Sequence, residues 1–203
     1  RLMPVIDTTL QCFDNVKIIN ADVMKTDLHK LIKEEFGDEK ISVCANLPYY
    51  ITSPIIMMLL EERLPIDSIT VMVQKEAADR LCAHLATREV GAVTVAVRYY
   101  SEPKKLFDVS KGNFLPAPKV DSAVIRLDIK ENTALSDDEQ ERFFKIVRAA
   151  FCQRRKTLSN SLSSGLSLPK AEVNELLEKA NIPITARAEQ LTMDDYINLA
   201  KVK

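Results

Sequence analysis

Ile41-Ser42-Val43-Cys44-Ala45-Asn46-Leu47-Pro48-Tyr49-Tyr50-Ile51-Thr52-Ser53-Pro54 is the stretch on which the fold turns. Ile41 to Ala45 is a short apolar run rich in β-branched residues, which predicts a buried strand. It ends in Asn46-Leu47-Pro48-Tyr49, a turn stiffened by a residue with a fixed φ and no N–H. Ser53-Pro54 then supplies an N-cap followed by proline at the first helical position. Strand, turn and helix in this order are the first half of a βαβ unit.

The alternation continues on both sides. Val16 to Ala21, Ile69 to Val73, Ala92 to Val97 and Val120 to Leu127 are further strand candidates, each rich in Val, Ile or Ala. Leu2 to Cys12, Asp27 to Phe36, Pro54 to Arg63 and Lys75 to Ala86 have the length and patterning of helices. Such alternation predicts βαβ units on a parallel sheet over residues 1–130. Tyr99 and Tyr100 read as strand or core residues.

The pattern changes after Lys130. Glu131, Asp137, Asp138, Glu139 and Glu141 are acidic, and Ser136 with Glu139 forms a capping box. Phe143, Val147 and Phe151, with Phe144 beside them, give the helix beginning there an apolar stripe. Pro169 to Ala180 and Met193 to Val202, the latter opened by Thr192 and Asp195, predict further helices. Residues 131–203 therefore read as a second, all-helical domain.

The 203 residues carry 28 Lys plus Arg against 29 Asp plus Glu, a net charge of −1. That balance excludes a uniformly basic wrapper of nucleic acid. It hides a local excess, since Arg142, Lys145, Arg148, Arg154, Arg155, Lys156 and Lys170 follow one another with no acid among them. Read alone this is a solvated helix face and polar loop; with the hydroxyl-rich Thr157 to Ser164 alongside, phosphate contact is favoured. The longest uncharged apolar run, Ile51 to Leu60, falls far short of the ~20 residues of a membrane span. Cys12, Cys44, Cys82 and Cys152 are widely spaced and read as reduced core residues of a cytoplasmic protein. His29 and His84 stand at no recognised ligand spacing, so no metal site is expected.

A strand ending in Asn-Leu-Pro-Tyr puts an amide, a rigid backbone and an aromatic ring at the carboxyl edge of an α/β sheet, where ligands bind. These groups suit methylation of an exocyclic amine on a flat base, a poor nucleophile because its lone pair is delocalised into the ring. The Asn46 side-chain oxygen and the Leu47 carbonyl can accept the two amine hydrogens, and Tyr49 offers a stacking face worth ~1–3 kcal/mol. The competing reading is a plain strand-ending turn with an aromatic packed over it.

Asn20-Ala21-Asp22-Val23, Asn46-Leu47-Pro48-Tyr49-Tyr50, Val73-Gln74-Lys75-Glu76-Ala77-Ala78-Asp79-Arg80-Leu81, Phe114-Leu115-Pro116-Ala117-Pro118-Lys119-Val120-Asp121-Ser122 and Phe151-Cys152-Gln153-Arg154-Arg155-Lys156 occur in order. In these stretches the chain resembles the ribosomal RNA adenine dimethyltransferases, most closely the bacterial small-subunit enzymes of the KsgA type. The resemblance implies a Rossmann-like class I methyltransferase sheet followed by a small helical domain. It also implies transfer of methyl groups from S-adenosylmethionine to N6 of two adjacent adenosines near the 3′ end of small-subunit rRNA, within the assembling 30S particle. Carried over by position, Asp22 and Val23 match the adenine pocket of the cofactor, and Asn46 the residue between cofactor and target amine. Leu47 and Pro48 complete the catalytic turn. Tyr49 and Phe114 match the aromatic pair that sandwiches the extruded base. Lys75, Arg80, Arg148, Arg154, Arg155 and Lys156 become candidate RNA contacts.

The family also opens with a Gly-x-Gly-x-Gly turn and an acidic residue for the ribose. Neither is found here, where Gly37, Gly91, Gly112 and Gly165 are far apart. The chain therefore reads as truncated at its N-terminus, with weakened cofactor binding and impaired transfer. The alternative reading is a non-catalytic factor that docks on ribosomal RNA during assembly. The sequence specifies no oligomeric state.

Overall fold

The computed structural model describes residues 3–131, 134–153 and 155–202 and divides into two compact units, residues 1–39 and 40–203. In the first, α1 (Met3–Leu10) and α2 (Leu28–Phe36) are joined by an irregular stretch holding a short 3-10 turn, Val23–Lys25. The Asp27 side chain caps α2 by accepting the N–H of Lys30. The strand expected over Val16 to Ala21 is absent. Val16 and Ile19 are 44% and 47% exposed, and the segment pairs with no strand among the described residues, so its propensity has no ladder to complete.

The second unit begins with the expected strand, turn and helix: β1 (Ile41–Asn46), a 3-10 turn at Tyr49–Ile51, and α3 (Thr52–Glu61). Helix α3 starts at Thr52, ahead of the expected Ser53-Pro54 cap, because the 3-10 turn runs straight into it. Pro54 then falls within the first turn, where an N–H would have no intrahelical partner. Next come β2 (Ile66–Gln74), α4 (Lys75–Cys82), α5 (Ala92–Tyr100), β3 (Ser101–Val109) and β4 (Ser122–Ile129). The strands lie in the order β1-β2-β4-β3, with β1 and β2 parallel and β4 antiparallel to both β2 and β3. The sheet is thus mixed where a parallel one was expected. Only a short loop with a 3-10 turn at Lys111–Asn113 joins β3 to β4, too little for a parallel crossover, so the two pair antiparallel.

Two assignments change with this topology. Ala92 to Val97, expected as a strand, is the core of α5. Its Thr94, Val95, Ala96, Val97, Tyr99 and Tyr100 are all buried, and a segment buried on every side carries no period by which to tell helix from strand. Strand β3 went unrecognised because it is an edge strand, with Pro103 inside it and its middle residues exposed.

The core of the sheet is a layer of facing residues, Ile69 against Leu127, Val71 against Ile125 and Val73 against Ala123, each at most 1% exposed. Burying each of the larger side chains contributes roughly 1.5–3 kcal/mol.

Helices α6 (Asp137–Ala150), α7 (Leu158–Leu166), α8 (Lys170–Lys179) and α9 (Met193–Lys201) complete the chain. Ser136 donates its N–H and its hydroxyl to Glu139 at the start of α6, and Thr192 does the same to Asp195 at α9. The predicted stripe is buried at Phe143 and Val147 and half-buried at Phe151. Tyr99 and Tyr100 of α5 pack on Phe143 and Phe144 of α6, with the Tyr100 and Phe144 rings stacked at 5.4 Å. The cysteines are free as expected, but they are not core residues. Cys12, Cys44 and Cys152 are exposed, Cys44 because it occupies an outward position of the alternating edge strand β1. Among the described residues, no helix is long and apolar enough to cross a membrane.

Candidate functional site

Strands β1 and β2 run in the same direction, so Asn46, Leu47 and Gln74 lie at one edge of the sheet. Because β3 and β4 run antiparallel to each other, loop 110–121 returns to that same edge and brings Phe114, Asp121 and Ser122 with it. Residues far apart in sequence are gathered by topology.

The turn after β1 is fastened at several points. The Leu47 N–H donates to the Met72 carbonyl at 3.4 Å, and its side chain is 7% exposed, pinning the turn to β2. Pro48 has φ −60°, and its carbonyl accepts both the Ile51 N–H and the Thr52 hydroxyl. Asn46, at the end of β1, is exposed, and its side chain has no hydrogen-bond partner among the described residues. The half-buried Tyr49 directs its hydroxyl to the Ser122 Oγ at 2.7 Å. Tyr50 is 85% exposed.

Phe114 is half-buried in a loop anchored by the Lys111 N–H on the Asp121 carboxylate. Neither Phe114 nor Tyr49 belongs to the aromatic cluster of Tyr99, Tyr100, Phe143, Phe144 and Tyr196. A cleft of about 470 Å³ opens beside the same edge, lined by Gln74, Lys75, Asp79, Lys111, Lys119 and Asp121.

The candidate RNA-contacting cations fall into two groups. Lys75 Nζ sits 2.6 Å from Asp108, whose carboxylate is also 3.4 Å from Lys105, itself 2.9 Å from Asp79. Hydrogen bonding to Lys75 lowers the pKa of Asp108, and the same bond raises that of Lys75. Arg80 lies 3.5 Å from Glu76, one turn earlier on α4. By contrast Arg148, Arg155 and Lys156 are exposed and have no carboxylate partner among the described residues. Arg154 lies outside the described residues. Within the same basic run Arg142 is tied to the Val202 carbonyl and Lys145 pairs with Glu141.

The hydroxyls of Thr157 to Ser164, expected to face phosphate, are largely used inside α7 and its neighbours. Ser159 and Ser161 are buried, with Ser159 Oγ donating to Asn174 and Ser161 Oγ to the Gln153 carbonyl, while Ser163 Oγ donates to Leu168. Small hydroxyl side chains let α7 approach closely, and that is their use here.

In the first unit Asp22 accepts the Met24 N–H at 3.0 Å and caps the turn that contains Val23. Its side chain is 53% exposed and stands 3.8 Å from Lys25. Ser122 is the site residue that sequence reasoning passed over. It belonged to a recognised motif, but nothing local to it indicates a partner 73 positions away. No group of three His, Cys, Asp or Glu side chains among the described residues is disposed to hold a metal.

Two solved structures share this arrangement of sheet and helices. The 23S rRNA methyltransferase ErmE superposes with a TM-score of 0.71 at 24% identity, covering 99% of this chain and 77% of its own. A dimethyladenosine transferase from Plasmodium falciparum gives 0.79 at 23% identity, covering 98% and 77%. The fold is therefore α/β and Rossmann-like. The sequence narrows this further. The profile of the ribosomal RNA adenine dimethylases matches residues 1–203. The ribosomal RNA small subunit methyltransferase A of Alkaliphilus oremlandii is 49% identical over 200 residues, covering 98% of this chain and 70% of the relative. The protein of the same name from Bacillus pumilus is 46% identical over 206 residues, covering 100% and 70%. The chain belongs to the ribosomal RNA adenine dimethylase family.

Proposed function

We propose that this chain is the catalytic polypeptide of a small-subunit rRNA adenine N6,N6-dimethyltransferase of the cytoplasm, acting on two adjacent adenosines near the 3′ end of that RNA. The observation that carries the reading is the unpartnered Asn46 amide at the sheet edge, next to a turn fixed by Leu47 and Pro48 and an aromatic ring at Tyr49. Family membership implies that S-adenosylmethionine, when bound, supplies the electrophilic methyl group.

Asp22 and Val23 suit the adenine end of that cofactor, while the family's glycine turn and ribose-binding acid are not found among the 203 residues, so cofactor binding is weakened and transfer impaired. Asp22 spends one oxygen on the Met24 N–H and is half exposed, and a carboxylate offers about four lone-pair sites, so it can also accept an adenine amine. Val23, 38% exposed, supplies apolar surface beside it. Tyr49 and Phe114 hold the extruded adenine by stacking, each face worth ~1–3 kcal/mol. Asn46 Oδ1 and the Leu47 carbonyl accept the two N6 hydrogens, which draws the nitrogen towards a pyramidal geometry and turns its lone pair towards the methyl group. The same two oxygens would stabilise positive charge developing on N6, and the Leu47 carbonyl, on the fixed turn, is oriented for this in advance. The buried Leu47 and the locked φ of Pro48 keep that orientation from relaxing.

A second, non-catalytic contribution is favoured by Arg148, Arg155 and Lys156, which have no carboxylate partner among the described residues. They can hold ribosomal RNA through its phosphates, so docking on the assembling 30S particle and methyl transfer are separable. Residues 1–130 would carry the chemistry and 131–203 the docking.

The test is S-adenosylmethionine-dependent methylation of undermethylated 30S particles by the full chain, with the modified bases mapped by mass spectrometry. Slow formation of N6,N6-dimethyladenosine at two neighbouring positions is expected, and Asn46→Ala should abolish it while RNA affinity stays within about twofold. Methylation at an unrelated position, or an active Asn46→Ala variant, would refute the assignment.

A further inference from the structure

We infer that Ser122 is a positioning residue for the methyl transfer, its buried hydroxyl setting the plane of the Tyr49 ring before the substrate base arrives. The inference rests on the stacking role proposed above for Tyr49.

Three observations carry it. Ser122 is 0% exposed, so its hydroxyl cannot turn to water, and a buried hydroxyl without a partner is costly. Its side-chain partner is the Tyr49 hydroxyl, at the usual length for an O–H to oxygen bond, 2.7 Å. And Ser122 is held from both sides, paired with Gln74 of β2 and with Val109 of β3, so its Oγ is a fixed point at the end of a central strand.

Tyr49 is thereby tethered at two ends. Its backbone enters the 3-10 turn after Pro48, and its hydroxyl ends on the sheet. With both ends held, rotation about χ1 and χ2 is restricted and one ring face is presented without an entropy cost on binding. This is the pre-organisation that stacking on a mobile ring would lack. Only an aromatic residue carrying a para hydroxyl can make the tether. Phenylalanine keeps the stacking face and loses the anchor, so the two roles of Tyr49 can be separated.

The experiment is a double-mutant cycle in the full chain, using Tyr49→Phe, Ser122→Ala and both together, with Tyr49→Ala as the control for stacking. Single-turnover methylation of 30S particles gives the rate, RNA binding gives the affinity, and thermal unfolding verifies the fold. Each single substitution should slow transfer about five- to tenfold, the equivalent of one neutral hydrogen bond, with RNA affinity nearly unchanged. The double variant should be no slower than the worse single one, because both substitutions remove the same bond. Tyr49→Phe changes no residue of the buried strand, and its unfolding curve measures what the unpartnered Ser122 hydroxyl costs, so it reports even if Ser122→Ala fails to fold. Wild-type rates in Tyr49→Phe, or losses that multiply in the double variant, would overturn the tether while leaving the function intact. A fully active Tyr49→Ala would instead remove the stacking role, and the tether with it.

Discussion

Gly165 of α7 lies directly against Ala149 of α6, and replacing it with alanine tests how tightly those helices are set. A Cβ at this position would lie 2.6 Å from the Cβ of Ala149 and 2.7 Å from its Cα. Ordinary carbon–carbon separations are ~3.5–4.0 Å, so the overlap is about 1 Å. Two effects oppose one another. Alanine is the better helix former by ~0.5–1 kcal/mol. Overpacking costs ~1–3 kcal/mol, and the upper part of that range applies because one of the crowded atoms is backbone and cannot rotate away. The net expectation for Gly165→Ala is a loss of about 1–2 kcal/mol, or a Tm lower by about 2–8 °C for a chain of this size. Adding Ala149→Gly should recover only part of the loss, since the Cα of residue 149 stays in place 2.7 Å from the new methyl group. Gly112→Ala, whose new Cβ would meet nothing nearer than Ser110 Oγ at 3.7 Å, serves as control and should change stability by less than ~0.5 kcal/mol. Thermal and urea unfolding followed by circular dichroism measure all four proteins. A Gly165→Ala protein as stable as the parent would show that α7 does not sit against α6 as described.

Replacing Arg148, Arg155 and Lys156 together with alanine should weaken RNA binding and lower the slope of log K against log salt by about 2–3, at roughly 0.7–0.9 for each phosphate no longer neutralised. Lys75→Ala and Arg80→Ala should each change that slope less, because these cations already hold Asp108 and Glu76; equal effects per residue, read by fluorescence anisotropy across a salt series, would contradict the distinction. Phe114→Ala should reduce kcat/KM by about 5- to 100-fold through lost stacking, with little change in unfolding midpoint given its half-exposed place in a loop. Burial pushes the Tyr100 phenol up to about 12. Its neutral form is then favoured in the folded state, so its contribution to stability is intact below about pH 10, the ordinary tyrosine value, and is lost as the pH rises from there to 12. Tyr100→Phe should flatten the fall in stability over that window, and parallel curves for the two proteins would count against the burial.

What could be read in the sequence was what local chemistry encodes. The capping pairs Ser136 with Glu139 and Thr192 with Asp195 fixed two helix starts because both partners lie within one turn. The strand ending in Asn46-Leu47-Pro48-Tyr49 was legible for the same reason. Illegible features depend on distant partners. Ala92 to Val97 carries strand-forming residues, yet it is a helix because α3, α4, α6 and β3 surround it, and burial on all sides erases its periodicity. Val16 to Ala21 has strand-like residues and, among the described residues, no strand to pair with. The hydroxyls of Thr157 to Ser164 looked like phosphate ligands until packing enclosed Ser159 and Ser161.

The same logic resolves the apparent conflict between a net charge of −1 and binding to a polyanion. Net charge counts every cation equally, whereas a phosphate meets each cation with the partners it already has. Lys75 and Lys105 are enclosed by Asp108 and Asp79, so they contribute little field beyond their own network. Arg148, Arg155 and Lys156 have no such partners among the described residues and keep their charge available to a phosphate. On the proposed function, a neutral chain can therefore hold RNA through Arg148, Arg155 and Lys156 of its helical part, apart from the neutral acceptors and ring of Asn46, Leu47 and Tyr49 at the sheet edge.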